Sequence, residues 1–302
     1  MKGFCKLLKK RSFYYAMILI PIVQFVIFYL FVNINSILLA FKDYDIYTGE
    51  YSIVWFENIK KVFSNLSNEP AMRFAIKNTI ILYISSTLVG ISLSLLFSYY
   101  IYKRGFFSGG FQVVLYLPCI VSSLALVLMY KYFVELALPE IFNTLFGVKI
   151  DPLLSTPDSQ FGTILTYSLW TSFGVNIIMY SNAMSGISDS IVEAARLDGV
   201  NAFQEFLLII IPRIYSTIVV FVVVGLSTIF TNQMNLFSFY GTNAEPQLWT
   251  VGYFLYKEIA SPKVTIADYP YLAAFGLVFT MFAVVITFTI KYLMERLGPK
   301  DE

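Results

Sequence analysis

The sequence predicts an all-α integral membrane protein with six transmembrane helices and one helical cytoplasmic loop. Three observations carry that prediction. Of the 302 residues, 58% are hydrophobic and only 13% are charged, against about 45–50% and about 25% in soluble domains, and the mean hydropathy is +0.70. Six apolar stretches have roughly the 20-residue length that crosses about 30 Å of hydrocarbon. Basic residues then gather on one side of the topology those stretches define. The chain reads as a single transmembrane domain over 1–302, with a core of about 72–292 and a cytoplasmic loop over 187–212; the other loops are too short for a second folded domain.

The spans are expected near 13–39, 76–101, 111–133, 161–184, 214–230 and 271–292. The first follows MKGFCKLLKKR. Its apolar run exceeds the about 7–15 residues of a signal-peptide core and no small-residue cleavage site follows, so it is a retained span. In the second, Ser86, Gly90, Ser94 and Ser98 recur every four residues, a small-residue stripe that lets a neighbouring helix pack closely. In the third, Pro118 removes a backbone donor and is expected to kink the helix. Lys2, Lys6, Lys9, Lys10 and Arg11 put the N-terminus in the cytoplasm, and six spans return the C-terminus to the same side. Inside segments then carry 12 Lys/Arg against 7 Asp/Glu, and outside segments 9 against 12.

Composition also excludes chemistry. With no histidine and two cysteines, zinc sites and Ser-His triads lack their residues, and no metal site is expected. Cys5 lies among basic residues and Cys119 in an apolar run, where a small buried role is the default. An intramembrane enzyme or a sensor is the reading from another class. The enzyme needs ionisable residues clustered at membrane depth, and Lys131 with Glu135, one turn apart, reads instead as an interfacial pair. A net charge of +2 is too small to argue for nucleic acid. The phosphate-binding pattern G-x-x-x-x-G-K-[ST] is missing, so the chain does not hydrolyse ATP unaided.

The most informative stretch lies between the fourth and fifth spans, SGISDSIVEAARLDGVNAFQEFLLIIIPRI. Ser190 and Glu193 fit a capping box, about two helical turns follow to Asp198, and Gly199 stands where a helix end requires a left-handed residue. Asn201 with Gln204 caps a second start, and Phe203, Phe206, Leu207 and Ile210 keep helical spacing up to Pro212. The product is a short helix, a sharp corner and a second helix.

Glu193-Ala194-Ala195, Gly199 after three more residues, then Ile209, Ile211 and Pro212 after nine, resembles the EAA signature of binding-protein-dependent ABC importer permeases. Isoleucine replaces leucine at 211 and every spacing is met. The resemblance extends to the carbohydrate branch of that family. SILLAFKDYD, Trp55-Phe56-Glu57-Asn58 and Ala75-Ile76-Lys77-Asn78-Thr79 are similar to segments of the first permease subunit of maltose-type importers. Gly241 to Pro246 stands where the family commonly has a Gly-Gly-Pro turn.

The resemblance implies a type I ABC importer transmembrane domain in a bacterial cytoplasmic membrane, moving a carbohydrate by alternating access. Glu193, Ala194, Ala195, Asp198, Gly199, Ile209 and Pro212 would form the coupling helix and its support. The implied partners are a second permease subunit, two copies of a cytoplasmic ATPase that use ATP and Mg, and an extracytoplasmic solute-binding protein. This chain itself would bind no cofactor. A non-sugar solute is the alternative cargo. A sugar path needs aromatic plates and amide or hydroxyl partners. Its candidates are Trp170, Asn176 and Tyr180, with Asn232, Gln233 and Asn235 at the end of the fifth span. Interfacial anchoring remains open for the aromatics, and interhelical hydrogen bonding for the amides.

Overall fold

The structure is a computed structural model that describes residues 14–299. The basic residues Lys2, Lys6, Lys9, Lys10 and Arg11, together with Cys5, Phe13 and the charges at 300–302, lie outside the described residues. The described chain divides into two compact units, 14–68 with Pro262–Phe279, and Glu69–Ser261 with 280–299.

In the first unit, helix α1 (Tyr14–Leu39) has apolar side chains exposed all round, including a π-helical stretch over Phe25–Phe31. A helix with no polar face suits lipid or other helices as its surroundings. An antiparallel hairpin follows, β1 (Lys42–Tyr44) on β2 (Tyr51–Ile53), with Asp43 opposite Ser52. Helix α2 (Glu57–Asn68) then begins with Asn58 buried. The Asn58 amide donates to the carbonyls of Ala40 at 3.2 Å and Lys42 at 2.7 Å, fastening α2 to the chain that leaves α1. This is the physical work of an asparagine singled out above by resemblance. Asn65 reaches the Tyr271 hydroxyl at 2.9 Å.

The second unit opens with α3 (Pro70–Tyr102), whose proline occupies the first turn, where a missing N–H costs nothing. The small-residue stripe behaves as expected: Gly90, Ser94 and Ser98 are buried, and the Ser98 hydroxyl donates to the Ile177 carbonyl at 3.0 Å on the helix packed against it. Helices α4 (Ser108–Ile120) and α5 (Ser123–Phe146) meet at 105°. Val121 and Ser122 are extended, whereas Pro118 sits inside an unbroken helix three residues earlier. The third expected span, 111–133, is therefore two helices, and the break is not at the proline.

Helix α6 (Pro157–Ser185) is continuous over 29 residues. Helix α7 (Asp189–Leu197) and the bent pair α8 (Ala202–Arg213) and α9 (Tyr215–Ser227), 69° apart, follow. Short α10 (Leu236–Tyr240) and α11 (Val251–Ala260) precede the last helix, α12 (Tyr269–Leu297). Among the described residues, three helices are long and apolar enough to cross a membrane, and up to five spans result if each bent pair is one. The fourth expected span, 161–184, lies in α6, which is long enough but diluted by Ser, Thr, Asn and Gln.

Two smaller expectations are corrected. Cys119 is exposed rather than buried. Lys131 and Glu135 do not pair: Lys131 donates to the Phe239 carbonyl at 3.3 Å, while Glu135 accepts from Leu154 N–H at 2.7 Å and the Ser155 hydroxyl at 2.8 Å. Each charge satisfies backbone or hydroxyl groups of a different segment, which a one-turn spacing does not reveal.

Candidate functional site

The EAA segment folds as two helices around a glycine corner. Helix α7 starts at Asp189, one residue before the expected cap, and the Ser190–Glu193 capping box does not form. The Ser190 hydroxyl lies 2.7 Å from that of Ser188 instead. The helix ends as expected. Val200 N–H donates to the Ala195 carbonyl and Gly199 N–H to that of Arg196, both at 3.1 Å, which is the Schellman pattern of a helix terminus. Gly199 has φ +82°, a conformation that penalises any side chain. Two residues later both halves of the Asn201–Gln204 capping box are made, at 3.1 and 2.9 Å.

Beyond that cap the helix widens into a π-turn over Phe206–Ile210 just ahead of Pro212. The wider ladder accommodates a ring that would otherwise collide with the carbonyl four residues back. Ile209 is half-buried and Ile210 fully buried in this turn.

The loop has two faces. Val192 and Ala195 are buried, while Glu193, Ala194, Asp198 and Gly199 are exposed. Two large side chains join the exposed face, Leu197 at 89% exposure and Phe203 at 67%. A two-turn helix with bare apolar residues beside a carboxylate is an unfinished interface. On the inner side, Phe206, Ile210 and Ile214 pack with Leu95 of α3 and with Tyr180 and Met184 of α6. Polar contacts reinforce this. Glu205, only 3% exposed, pairs with Lys103 just past the end of α3, and the Tyr99 hydroxyl donates to the Ala202 carbonyl at 3.0 Å. Sequence reasoning passed over Glu205. The available signal was a lone carboxylate between Phe203 and Phe206, a place that demands a partner.

The second part of the site is a cleft of about 200 Å³ among α3, α6 and α9. It is lined by Thr79, Tyr83, Ser86 and Thr87, by Ser172 and Asn176, and by Phe221, Thr228 and Asn232, with apolar side chains between them. No Asp, Glu, Lys or Arg lines it. The Asn176 amide makes no hydrogen bond among the described residues, and Asn232 uses its side-chain oxygen to accept from Met234 N–H at 2.9 Å. Two of the six path candidates, Asn176 and Asn232, are thus brought together.

The other four lie elsewhere. Tyr180 is wholly buried in the packing beneath the loop, its ring 4.9 Å from that of Phe221. Trp170 is 41% exposed and stacks on Tyr130 at 6.5 Å, lining a shallow apolar groove with Leu126, Met129 and Phe133. The Gln233 backbone carbonyl accepts from Leu236 N–H, and Asn235 adopts the left-handed conformation before α10. Helix phase separates Trp170 from Asn176, six residues apart on α6, whereas Tyr180, four residues beyond Asn176, shares its face but lies one turn farther along, packed against Phe221.

Long-range bonds hold the cleft open on one side. Asn78 donates to the carbonyls of Gln247 at 2.7 Å and Trp249 at 3.0 Å. Thr79 accepts from Val251 N–H at 3.0 Å, and Thr250 donates to the Asn232 carbonyl at 2.8 Å. A Cβ on Gly252 would lie 2.5 Å from the Thr231 carbonyl carbon, so only glycine allows this approach. Farther along, Trp249 donates to the Ala244 carbonyl at 2.8 Å and Tyr253 to that of Gly241 at 2.9 Å, so the segment in place of the Gly-Gly-Pro turn is well bonded.

Known proteins share the fold. A bacterial ABC transporter for the acidic polysaccharide alginate superposes with a TM-score of 0.76 at 22% identity, covering 97% of this chain and 99% of that one. The lactose transport system permease of Rhizobium radiobacter is 28% identical over 62% of this chain, and the match spans 62% of that protein, less than two thirds of its length. The multiple sugar-binding transport system permease of Streptococcus mutans is 22% identical over 80% of this chain and 83% of its own. The family model for the binding-protein-dependent transport system inner membrane component matches residues 86–300, from the widened turn of α3 through the glycine-cornered loop to the end of α12. With that match running across the loop and most of the cleft lining, the chain belongs to this family of membrane-embedded transport permeases.

Proposed function

We propose that this chain is one permease subunit of an ATP-driven importer that moves a carbohydrate across the bacterial cytoplasmic membrane. The observation that carries the proposal is the joining of two features in one packed unit. One is an exposed, glycine-cornered helix with unfinished apolar contacts at Leu197 and Phe203. The other is an uncharged cleft of hydroxyls and amides. The first suits docking into a partner, and the second suits the hydroxyl edges of a sugar, since neutral polar groups bind such edges without trapping them.

In this reading the N- and C-termini and α7 are cytoplasmic, and α7 enters a groove on one of two ATPase subunits. ATP and Mg are used there, not by this chain. Closure of the ATPases draws the coupling helices together and exposes the cleft to an extracytoplasmic solute-binding protein. A second, related permease subunit completes the path. The lactose, multiple-sugar and alginate names of the similar proteins support a carbohydrate cargo.

Affinity purification of the full chain from native membranes in gentle detergent tests the assembly. An ATPase and a second permease are expected to co-purify, and the complex in proteoliposomes is expected to take up an oligosaccharide delivered by its binding protein. Recovery of the chain alone would overturn the assembly, and ATP-driven uptake of peptides or phosphate but no saccharide would overturn the cargo.

A further inference from the structure

We propose that Lys103 and Glu205 are positioning residues that lock the loop to α3, so that the loop and the cleft-lining part of α3 move as one body. The inference rests on the reading of α7 as the ATPase contact. It concerns how displacement leaves the loop once it arrives.

The loop touches two long helices in different ways. Toward α6 its contacts are apolar, Phe206 and Ile210 against Tyr180 and Met184. Among the described residues, its polar side-chain links to a neighbouring helix run toward α3 and the residue after it: the Lys103–Glu205 ion pair and the Tyr99 hydroxyl on the Ala202 carbonyl at 3.0 Å. Lys103 also lies over the rings of Tyr99 at 5.6 Å and Tyr102 at 5.8 Å, and Tyr99 packs on Phe206 at 5.0 Å. Apolar contacts tolerate a change of register better than polar ones, because dispersion and desolvation have no preferred direction. A buried carboxylate cannot slide away from its cation without standing uncompensated, and a hydrogen bond fails when misaligned. The α3 contact is therefore a clamp and the α6 contact a bearing.

The clamp is attached to the right element. Thr79, Tyr83, Ser86, Thr87 and Ile91 of α3 line the cleft. Thr87 and Lys103 are joined by one helix, about 24 Å at 1.5 Å per residue. A displacement at the Lys103 end is carried along that rod to the cleft wall. The π-turn over Ser86–Ile91 sits at the level of the cleft, and Ser86, Thr87 and Ile91 within it line the wall.

The test uses the assembled complex in lipid nanodiscs, with Cys5 and Cys119 replaced by serine and spin labels placed at Arg196 on α7 and at Leu88 on α3. Each is measured against a label at Val175 on α6 by pulsed electron resonance, with and without ATP plus vanadate. Both distances are expected to shift in the wild type. In Glu205→Gln and in Lys103→Met the Arg196 shift is expected to persist while the Leu88 shift falls by about half or more, and the exchanged pair Lys103→Glu with Glu205→Lys to recover it. Tyr99→Phe removes only the hydroxyl bond and is expected to give a smaller loss in the same direction, which keeps the test usable if a charge variant fails to assemble. An undiminished Leu88 shift in these variants overturns the clamp and leaves the loop's role intact. A wild-type Arg196 label that ignores ATP overturns the ATPase contact itself.

Discussion

The glycine-cornered loop and the cleft are built by opposite rules. The loop is made of short-range bonds: a Schellman end at Gly199, a capping box three residues wide at Asn201, and a π-turn that makes room for Pro212. Its backbone turns are closed by these local bonds, and its buried carboxylate, Glu205, pairs with Lys103. The cleft is made by bonds between residues about 170 apart in sequence, Asn78 to Gln247 and Trp249 and Thr79 to Val251. Its lining leaves the Asn176 amide without a partner among the described residues. The difference teaches what each part must do. Under the proposed function, local bonds that fix the loop's shape suit a part that transmits force, whereas free amide capacity in the cleft suits a part that holds and releases a ligand.

The comparison is broken most severely at its corner. Gly199→Val places a β-branched residue at φ +82°, a local strain of about 1–3 kcal/mol. Uptake by the reconstituted complex is expected to fall at least ~10-fold at unchanged membrane abundance, and full uptake would show that the corner does not set the loop's geometry. Next comes the wall of the cleft. Gly252→Ala drives a methyl into the Thr231 carbonyl, an overpacking expected to cost about 1–3 kcal/mol and to lower the melting temperature of the detergent-solubilised complex.

Asn176→Leu is expected to raise the apparent KM for the transported sugar by roughly 10-fold, since a site that bonds a hydroxyl loses about this much when the bond is removed. The ATP consumed per sugar should stay the same, because the loop is untouched. Loss of coupling in this variant would erase the separation between the two regions. Asn201→Ala deletes the loop's second cap, worth about 1 kcal/mol, and hydrogen exchange over Ala202–Glu205 is expected to rise accordingly. The smallest effect is expected from Trp170→Ala. Its side chain lines an apolar groove and not the cleft, so uptake should change by less than about twofold, and a large loss would return Trp170 to the path.

The same contrast governs how much could be read in advance. Gly199, Asn201 with Gln204, and the spacing to Pro212 declare the loop because each device acts within five residues and has a fixed chemical form. Even there the start of α7 was misplaced, since Ser188 and Ser190 are equally good caps on paper and only the turn after Gly186 selects between them. For the cleft, composition identified the right kind of residue but not the right members. Asn176 and Asn232 line one cleft, while Trp170 differs in helix phase, Tyr180 in its place one turn farther along α6, and Gln233 and Asn235 in local turn geometry. Asn58, Asn78 and Thr79 stood out by resemblance, and their reason emerged only from partners far along the chain.

By itself the sequence determined that the protein lives in a membrane, that it is helical, and where one rigid glycine-cornered loop stands, because hydropathy, helical period and capping are properties of neighbours in the chain. Tertiary structure alone decided that the third apolar stretch bends by 105° after its proline. It also decided that Glu205 meets Lys103 and that two asparagines out of six candidate residues share one uncharged cleft. Those outcomes depend on which faces of distant helices meet, and no local rule contains that information.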